Sequence, residues 1–170
     1  RVGGSARDRF PVLFGARWEE AQTIFYDTFR QAHIEQLREM PGAGAMLTEL
    51  ARAGIYLGVV SNKQGPFLRR EADHLGWTAR FGRIVGATDA PRDKPAVEPV
   101  EMALDGSGVG RGPEVWFVGD TEPDILCARA AGCTAVLLHQ DKDHQKLIAA
   151  HNPDVIVRDI VSFRSAAFTP

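Results

Sequence analysis

Cysteine is scarce in this sequence. The two residues, Cys127 and Cys133, have neither a Cys-X-X-Cys spacing nor a histidine cluster beside them. This excludes a disulfide-stapled scaffold and a thiolate zinc site, and reads as two reduced thiols filling a core in a cytoplasmic setting. An excess of charge of one sign is also lacking: 20 Lys+Arg against 22 Asp+Glu leave a formal net charge of -2. No basic face is therefore expected for a nucleic acid or an anionic membrane, while a small anionic substrate, which needs only a local field, stays allowed. No apolar run approaches the roughly 20 residues of a membrane span. The five histidines (His33, His74, His139, His144, His151) are scattered, mostly beside charged residues, which places them on the surface and not around a metal. There is no internal repeat and no low-complexity tract. What is present, 44% hydrophobic and 25% charged residues over 170 positions, suffices for one ordinary domain or a core with a small appendage.

Two patterns divide the chain. From Arg17 to Arg38 the residues Trp18, Ala21, Phe25, Phe29 and Ala32 recur at three- and four-residue steps among charged ones, which predicts an amphipathic helix ending at Met40-Pro41-Gly42. Beyond it, short apolar runs alternate with helical stretches closed by glycine. The strands are expected at Ile55–Val60, Arg83–Gly86, Val115–Val118, Thr134–Leu138 and Asp154–Val157. Helices are expected around Met46–Leu50, Pro66–Leu75, Ala96–Leu104, Glu122–Ala131 and Asp141–Ala150. Such alternation means a parallel sheet covered by helices on both faces.

In an open α/β sheet, ligands sit beyond the carboxyl ends of the strands, so the polar residues after each apolar run carry the chemistry. Ser61-Asn62-Lys63 follows Val60; its hydroxyl, its amide and the next helix's exposed N–H groups suit a phosphoryl group, although taken alone Ser and Asn there read first as a helix cap. Lys94, in Asp93-Lys94-Pro95, stands just before a helix expected to start near Pro95. A cation there opposes the helix dipole and calls for a phosphate or a carboxylate beside it, unless it is simply solvated. In Gly119-Asp120-Thr121-Glu122-Pro123-Asp124 both aspartates can point into one crevice, where Mg²⁺ would find the hard oxygen ligands it prefers. A Thr121-X-X-Asp124 capping box is the competing reading, and the two can coexist.

The order Ser-Asn after one strand, Lys-Pro before a helix and Gly-Asp-x-x-x-Asp after a later strand resembles motifs two, three and four of the haloacid dehalogenase superfamily. Pro41-Gly42, Val59-Val60-Ser61-Asn62-Lys63 and Lys94-Pro95 with Glu98-Pro99 are similar to its phosphoglycolate phosphatase branch. The resemblance implies a Rossmann-like α/β core over residues 41–170, with residues 1–40 as the later part of a helical cap. It implies a Mg²⁺-dependent phosphatase of a small phosphorylated metabolite of the phosphoglycolate type, working through an aspartyl-phosphate. Ser61, Lys94 and Asp120 would be catalytic, Ser61, Asn62 and Lys94 would bind substrate, and Asp120 with Asp124 would hold Mg²⁺. Arg7, Arg9 and Arg17 could meet a substrate carboxylate or equally be solvated charges on a helix surface, and the cap aromatics leave room for a homodimer contact.

The resemblance also calls for a strand ending directly in Asp-x-Asp, which supplies the nucleophile and the general acid. No apolar run here ends so; Val12-Leu13-Phe14-Gly15 has glycine in the aspartate's place. In the family that strand lies between those preceding Ser61 and Gly119, so without it these two would face each other with unpaired backbone edges. The expectation is that an upstream segment supplies it. The alternatives are a phosphate- or partner-binding protein without catalysis and a dehalogenase or phosphomutase of the same superfamily. A response-regulator receiver is set aside, because there the acids precede the lysine.

Overall fold

The computed structural model describes residues 4–139 and 144–168. The helical N-terminal part consists of α1 (Ala6–Phe14) and α2 (Trp18–Ala32), which pack on each other. An aromatic ladder joins them, with Phe10 edge-on to Phe25 at 5.5 Å and Phe25 stacked on Phe29 at 6.0 Å. Helix α1 was not anticipated, and Val12–Leu13–Phe14, compared above with a nucleophile strand, is its last turn. The Ser5 hydroxyl caps it by accepting the Asp8 N–H. Helix α2 is shorter than the expected 17–38, stopping at Ala32.

The remainder alternates as expected: α3 (Ala43–Arg52), β1 (Gly58–Gln64), α4 (Gly65–His74), β2 (Arg83–Ala87), α5 (Glu98–Leu104), β3 (Trp116–Gly119), α6 (Glu122–Ala131), β4 (Thr134–Leu138), α7 (His144–His151), β5 (Val155–Val157) and α8 (Ile160–Phe168). The last was not foreseen. The expected start of the seventh helix, 141–143, lies outside the described residues. Strand β1 begins at Gly58 and not at Ile55, because β2 offers partners only from Arg83, which pairs with Gly58. It then runs on to Gln64, with an irregular register after Val60, so Ser61-Asn62-Lys63 belongs to the strand's distorted end.

All pairings are parallel, but the sheet is divided: β1 pairs with β2, and β3, β4 and β5 form a separate ladder. Along β4 the side chains alternate between two apolar clusters. Ala135 and Leu137 pack with Ile125, Cys127 and Ala128 of α6, while Val136 packs with Leu50 of α3 and Phe163 of α8. Helices thus cover both faces. Between the facing edges of β1 and β3 lies an apolar cavity of about 600 Å³, lined among others by Leu57, Val60, Trp116, Phe117, Val118 and Leu138. Val118 is 41% exposed there, on a strand that would be interior in a continuous sheet.

Candidate active site

Lys94 joins the three sequence clusters at the carboxyl ends of β1 and β3, bonded to the carbonyl of Val60 and 5.8 Å from the Phe117 ring, both of which line this cavity. At the end of β1 the Ser61 hydroxyl accepts the Lys63 N–H at 3.1 Å. Neither Ser61 nor Asn62 caps the following helix, whose N-cap position is Gln64, so the capping reading of this cluster is overturned. Asn62 instead brackets the next cluster. Its Nδ2 donates to the Lys94 carbonyl at 3.1 Å and its Oδ1 accepts the Lys94 N–H at 3.0 Å, satisfying one peptide unit on both sides.

Lys94 is buried, not solvated, and it does not abut a helix N-terminus, since α5 starts only at Glu98. Its compensation comes from a carboxylate: Nζ donates to Asp124 Oδ1 at 2.6 Å and to the Val60 carbonyl at 3.0 Å. One ammonium therefore spans from β1 to the first turn of α6, just after β3, tying the two half-sheets at the end where a ligand would bind.

That loop is shaped by glycine. A Cβ on Gly119 would stand 2.3 Å from Cβ and Cγ of Asp124, so only glycine lets Asp124 fold back over the strand end. Asp124 is buried, and its Oδ2 accepts the N–H groups of Thr121 (2.9 Å) and Asp120 (3.2 Å) together with the Thr121 hydroxyl (2.5 Å). The capping box expected as a competitor is thus present, with Thr121 as N-cap. It coexists with an exposed Asp120 at the strand end. Asp120 at the strand end and Asp124 in the first turn of α6 offer hard oxygen donors of the kind a divalent cation takes while retaining several waters, but Asp124 Oδ1 is engaged by Lys94 and Oδ2 by three donors, and no group of three or more His, Cys, Asp or Glu is assembled among the described residues. The chain's single Asp-x-Asp, Asp141-Lys142-Asp143, follows two residues after β4 and lies in the segment outside the described residues.

Two connections to the helical part were not legible in the sequence. Arg7 of α1 pairs with Asp93 at 3.0 Å, next to Lys94; the same Asp93 oxygen accepts the Thr88 N–H, while its other oxygen is buried without a partner. Burial first, and then the charge on Asp93, push the Tyr26 hydroxyl above the usual tyrosine range. His33, at the end of α2, is buried rather than on the surface, with Nδ1 3.0 Å from Glu71 of α4. The other Glu71 oxygen takes the Lys63 ammonium. Of the other cap arginines, Arg17 is engaged with Glu20 on the outer surface. Both cysteines are free and buried, and burial pushes the Cys127 thiol up to about 12, so it is an inert core group.

No helix among the described residues is long and apolar enough to cross a membrane. The sequence profile of the haloacid dehalogenase-like hydrolases matches residues 2–138. The phosphoglycolate phosphatase of Photorhabdus laumondii is 32% identical over 153 residues, covering 89% of this chain and 64% of that enzyme. That of Salmonella typhi is 37% identical over 143 residues, covering 81% and 56%. The chain thus spans under two thirds of the length of these relatives. Among solved structures, a predicted phosphoglycolate phosphatase from Haemophilus somnus superposes with a TM-score of 0.75 at 26% identity, covering 89% of this chain and 66% of that one. A protein from Clostridium acetobutylicum reaches 0.83 at 17% identity, covering 97% and 77%, and shows the fold alone. A parallel α/β core, a serine, a lysine and two aspartates at its strand ends, and a profile match over most of the length establish that the chain belongs to the haloacid dehalogenase-like hydrolase family.

Proposed function

We propose that this chain is the greater part of a phosphatase acting on a small phosphorylated metabolite, with phosphoglycolate as the first substrate to test. The observation that carries the reading is the Lys94 ammonium, held between the Val60 carbonyl and Asp124 above the cavity separating β1 from β3. A cation fixed there neutralises charge on a transferring phosphoryl group and needs no reorganisation when that charge develops. Ser61 presents its hydroxyl to the same phosphoryl. Asn62 holds the Lys94 peptide beside it, so its contribution to substrate binding is made largely through placement.

The cavity suits an additional apolar strand pairing with both β1 and β3. A strand ending in Asp-x-Asp would bring its first carboxylate to Lys94 and Ser61 as the nucleophile, giving an aspartyl-phosphate that water then hydrolyses. Asp120 and Asp124 are the residues that would hold Mg²⁺, which when bound supplies further charge neutralisation at the phosphoryl oxygens. Residues 1–40 serve as the later part of a cap over the core 41–170, with Arg7 and Asp93 at their seam. The two buried free thiols suit a cytoplasmic setting.

The test compares the 170-residue chain with the protein made from its full reading frame, assaying Mg²⁺-dependent release of phosphate from phosphoglycolate and from an aryl phosphate. Turnover by the longer protein alone, abolished by Asp120→Ala, is the expected result. If the longer protein folds and binds phosphate but releases none, catalysis is ruled out and a binding protein takes its place.

A further inference from the structure

Glu71 is an acidic side chain only 9% exposed, and both its oxygens are used: one faces His33 Nδ1 at 3.0 Å, the other the Lys63 ammonium. The three partners come from different pieces of the fold. His33 ends α2 in the helical part, Glu71 sits on α4, and Lys63 is in the distorted end of β1. His33 is held edge-on to Phe67 (5.2 Å) and stacked on Phe29 (4.9 Å), and its Nε2 is buried without a partner. Phe29 also lies under the Lys63 ammonium, 5.4 Å from it. Leaving a buried histidine nitrogen unpaired costs free energy that an apolar residue would avoid, and the compensating polar contact of this ring is the one its other nitrogen makes with Glu71.

The relay continues into the site. The Lys63 backbone N–H donates to the Ser61 hydroxyl, and Asn62 between them clamps Lys94. Fixing the Lys63 side chain therefore fixes the backbone that aims Ser61. We infer that Glu71 and His33 are positioning residues that make the aim of the Ser61 hydroxyl depend on the docking of α2 against the core, through the chain His33–Glu71–Lys63–Ser61. This role rests on the phosphatase reading for its catalytic consequence, but not for its structural one. When α2 is seated, His33 holds Glu71, Phe29 lies under the Lys63 ammonium, and the strand end is held. When α2 lifts, Glu71 and Lys63 lose their third partner and the strand end loosens.

The experiment uses the full-reading-frame protein with His33→Leu, His33→Asn, Glu71→Gln and the double variant His33→Leu/Glu71→Gln, reading both turnover and amide hydrogen exchange at residues 61–64. Asp27→Asn, which removes an exposed ion pair with Arg30, is the control. His33→Leu and Glu71→Gln should each lower kcat about 10- to 100-fold with little change in KM, since misplacement of about 1 Å is enough for such a loss. The double variant should be no worse than Glu71→Gln alone, because the two act in series. His33→Asn, which can still donate to Glu71, should restore most of the rate. Exchange at 61–64 should quicken in His33→Leu and not in the control. If exchange there is unchanged by His33→Leu, or if the two losses multiply, the relay does not exist. Should the wild-type protein release no phosphate from any ester, the phosphatase reading falls while the exchange measurement still decides the relay.

Discussion

Both carboxylate oxygens of Asp124 are committed, one to the Lys94 ammonium and the other to the Thr121 and Asp120 donors, inside a site that excludes most water. Removing one partner of such a buried pair leaves the other charge uncompensated, which costs about 3–5 kcal/mol, while replacing both with apolar residues costs less. Lys94→Met alone and Asp124→Leu alone should each lower stability by about that amount in urea titrations of the full-reading-frame protein, and the double variant by less than their sum. A strictly additive result would mean that the pair is not coupled. Gly119→Ala tests the same corner sterically. Its methyl would meet Asp124, so a loss of about 1–3 kcal/mol is expected, with Lys94 displaced and turnover reduced. That Ser61, Lys94, Asp120 and Asp124 lie at strand ends was legible in the sequence, because Ser61 directly follows an apolar run, Lys94 precedes a proline, and Asp120 and Asp124 follow the run that ends at Val118 within one short polar stretch. Asp93 and Glu71 were not read as sites, since their meaning depends on Arg7 and His33, which are brought to them only by the packing of the helical part on the core.

Elements were legible where local pattern and tertiary pairing agree. Strand β4 appears at its expected residues because an apolar run between a glycine-closed helix and a polar loop admits little else. Helices α1 and α8 were missed: Pro11 interrupts the first, and the second opens on a cap, Asp159 accepting the Ser162 N–H, that was not recognised. Between elements, Asp154 just before β5 is informative. It accepts the Ala135 N–H of β4 at 2.8 Å and pairs with Arg129 of α6, joining three elements. The Ala135 N–H first, and Arg129 with it, hold its carboxyl below the usual aspartate range against the opposing effect of burial. A depressed folded-state pKa contributes stability above the unfolded value of about 3.9, and loses it as pH falls through the folded one. Asp154→Asn should therefore be less stable than wild type at pH 7, with the difference closing below about pH 4. Thermal melts across that range check the sign, and a gap that widened on acidification would contradict it.

At the scale of the whole molecule, the divided sheet is the dominant fact. Among the described residues β3 pairs only with β4, and β1 only with β2, so each presents an apolar edge to the cavity between them. Exposed edges of this kind invite pairing with other chains, and a charged residue on the edge suppresses it. Val118 lies on that edge, 41% exposed, and this makes the sign of one substitution depend on whether the cavity is filled. In the 170-residue chain, Val118→Lys should raise solubility and lower the fluorescence of an apolar dye, because it puts a charge on an open edge. In the full-reading-frame protein, if a further strand pairs between β1 and β3, the same lysine would be buried in a sheet interior without a partner and should destabilise by several kcal/mol. Wild-type dye binding should likewise be strong in the shorter chain and nearly absent in the longer one. If Val118→Lys has the same effect in both proteins, the additional residues do not enter the cavity, and the nucleophile strand must be sought elsewhere or is not there.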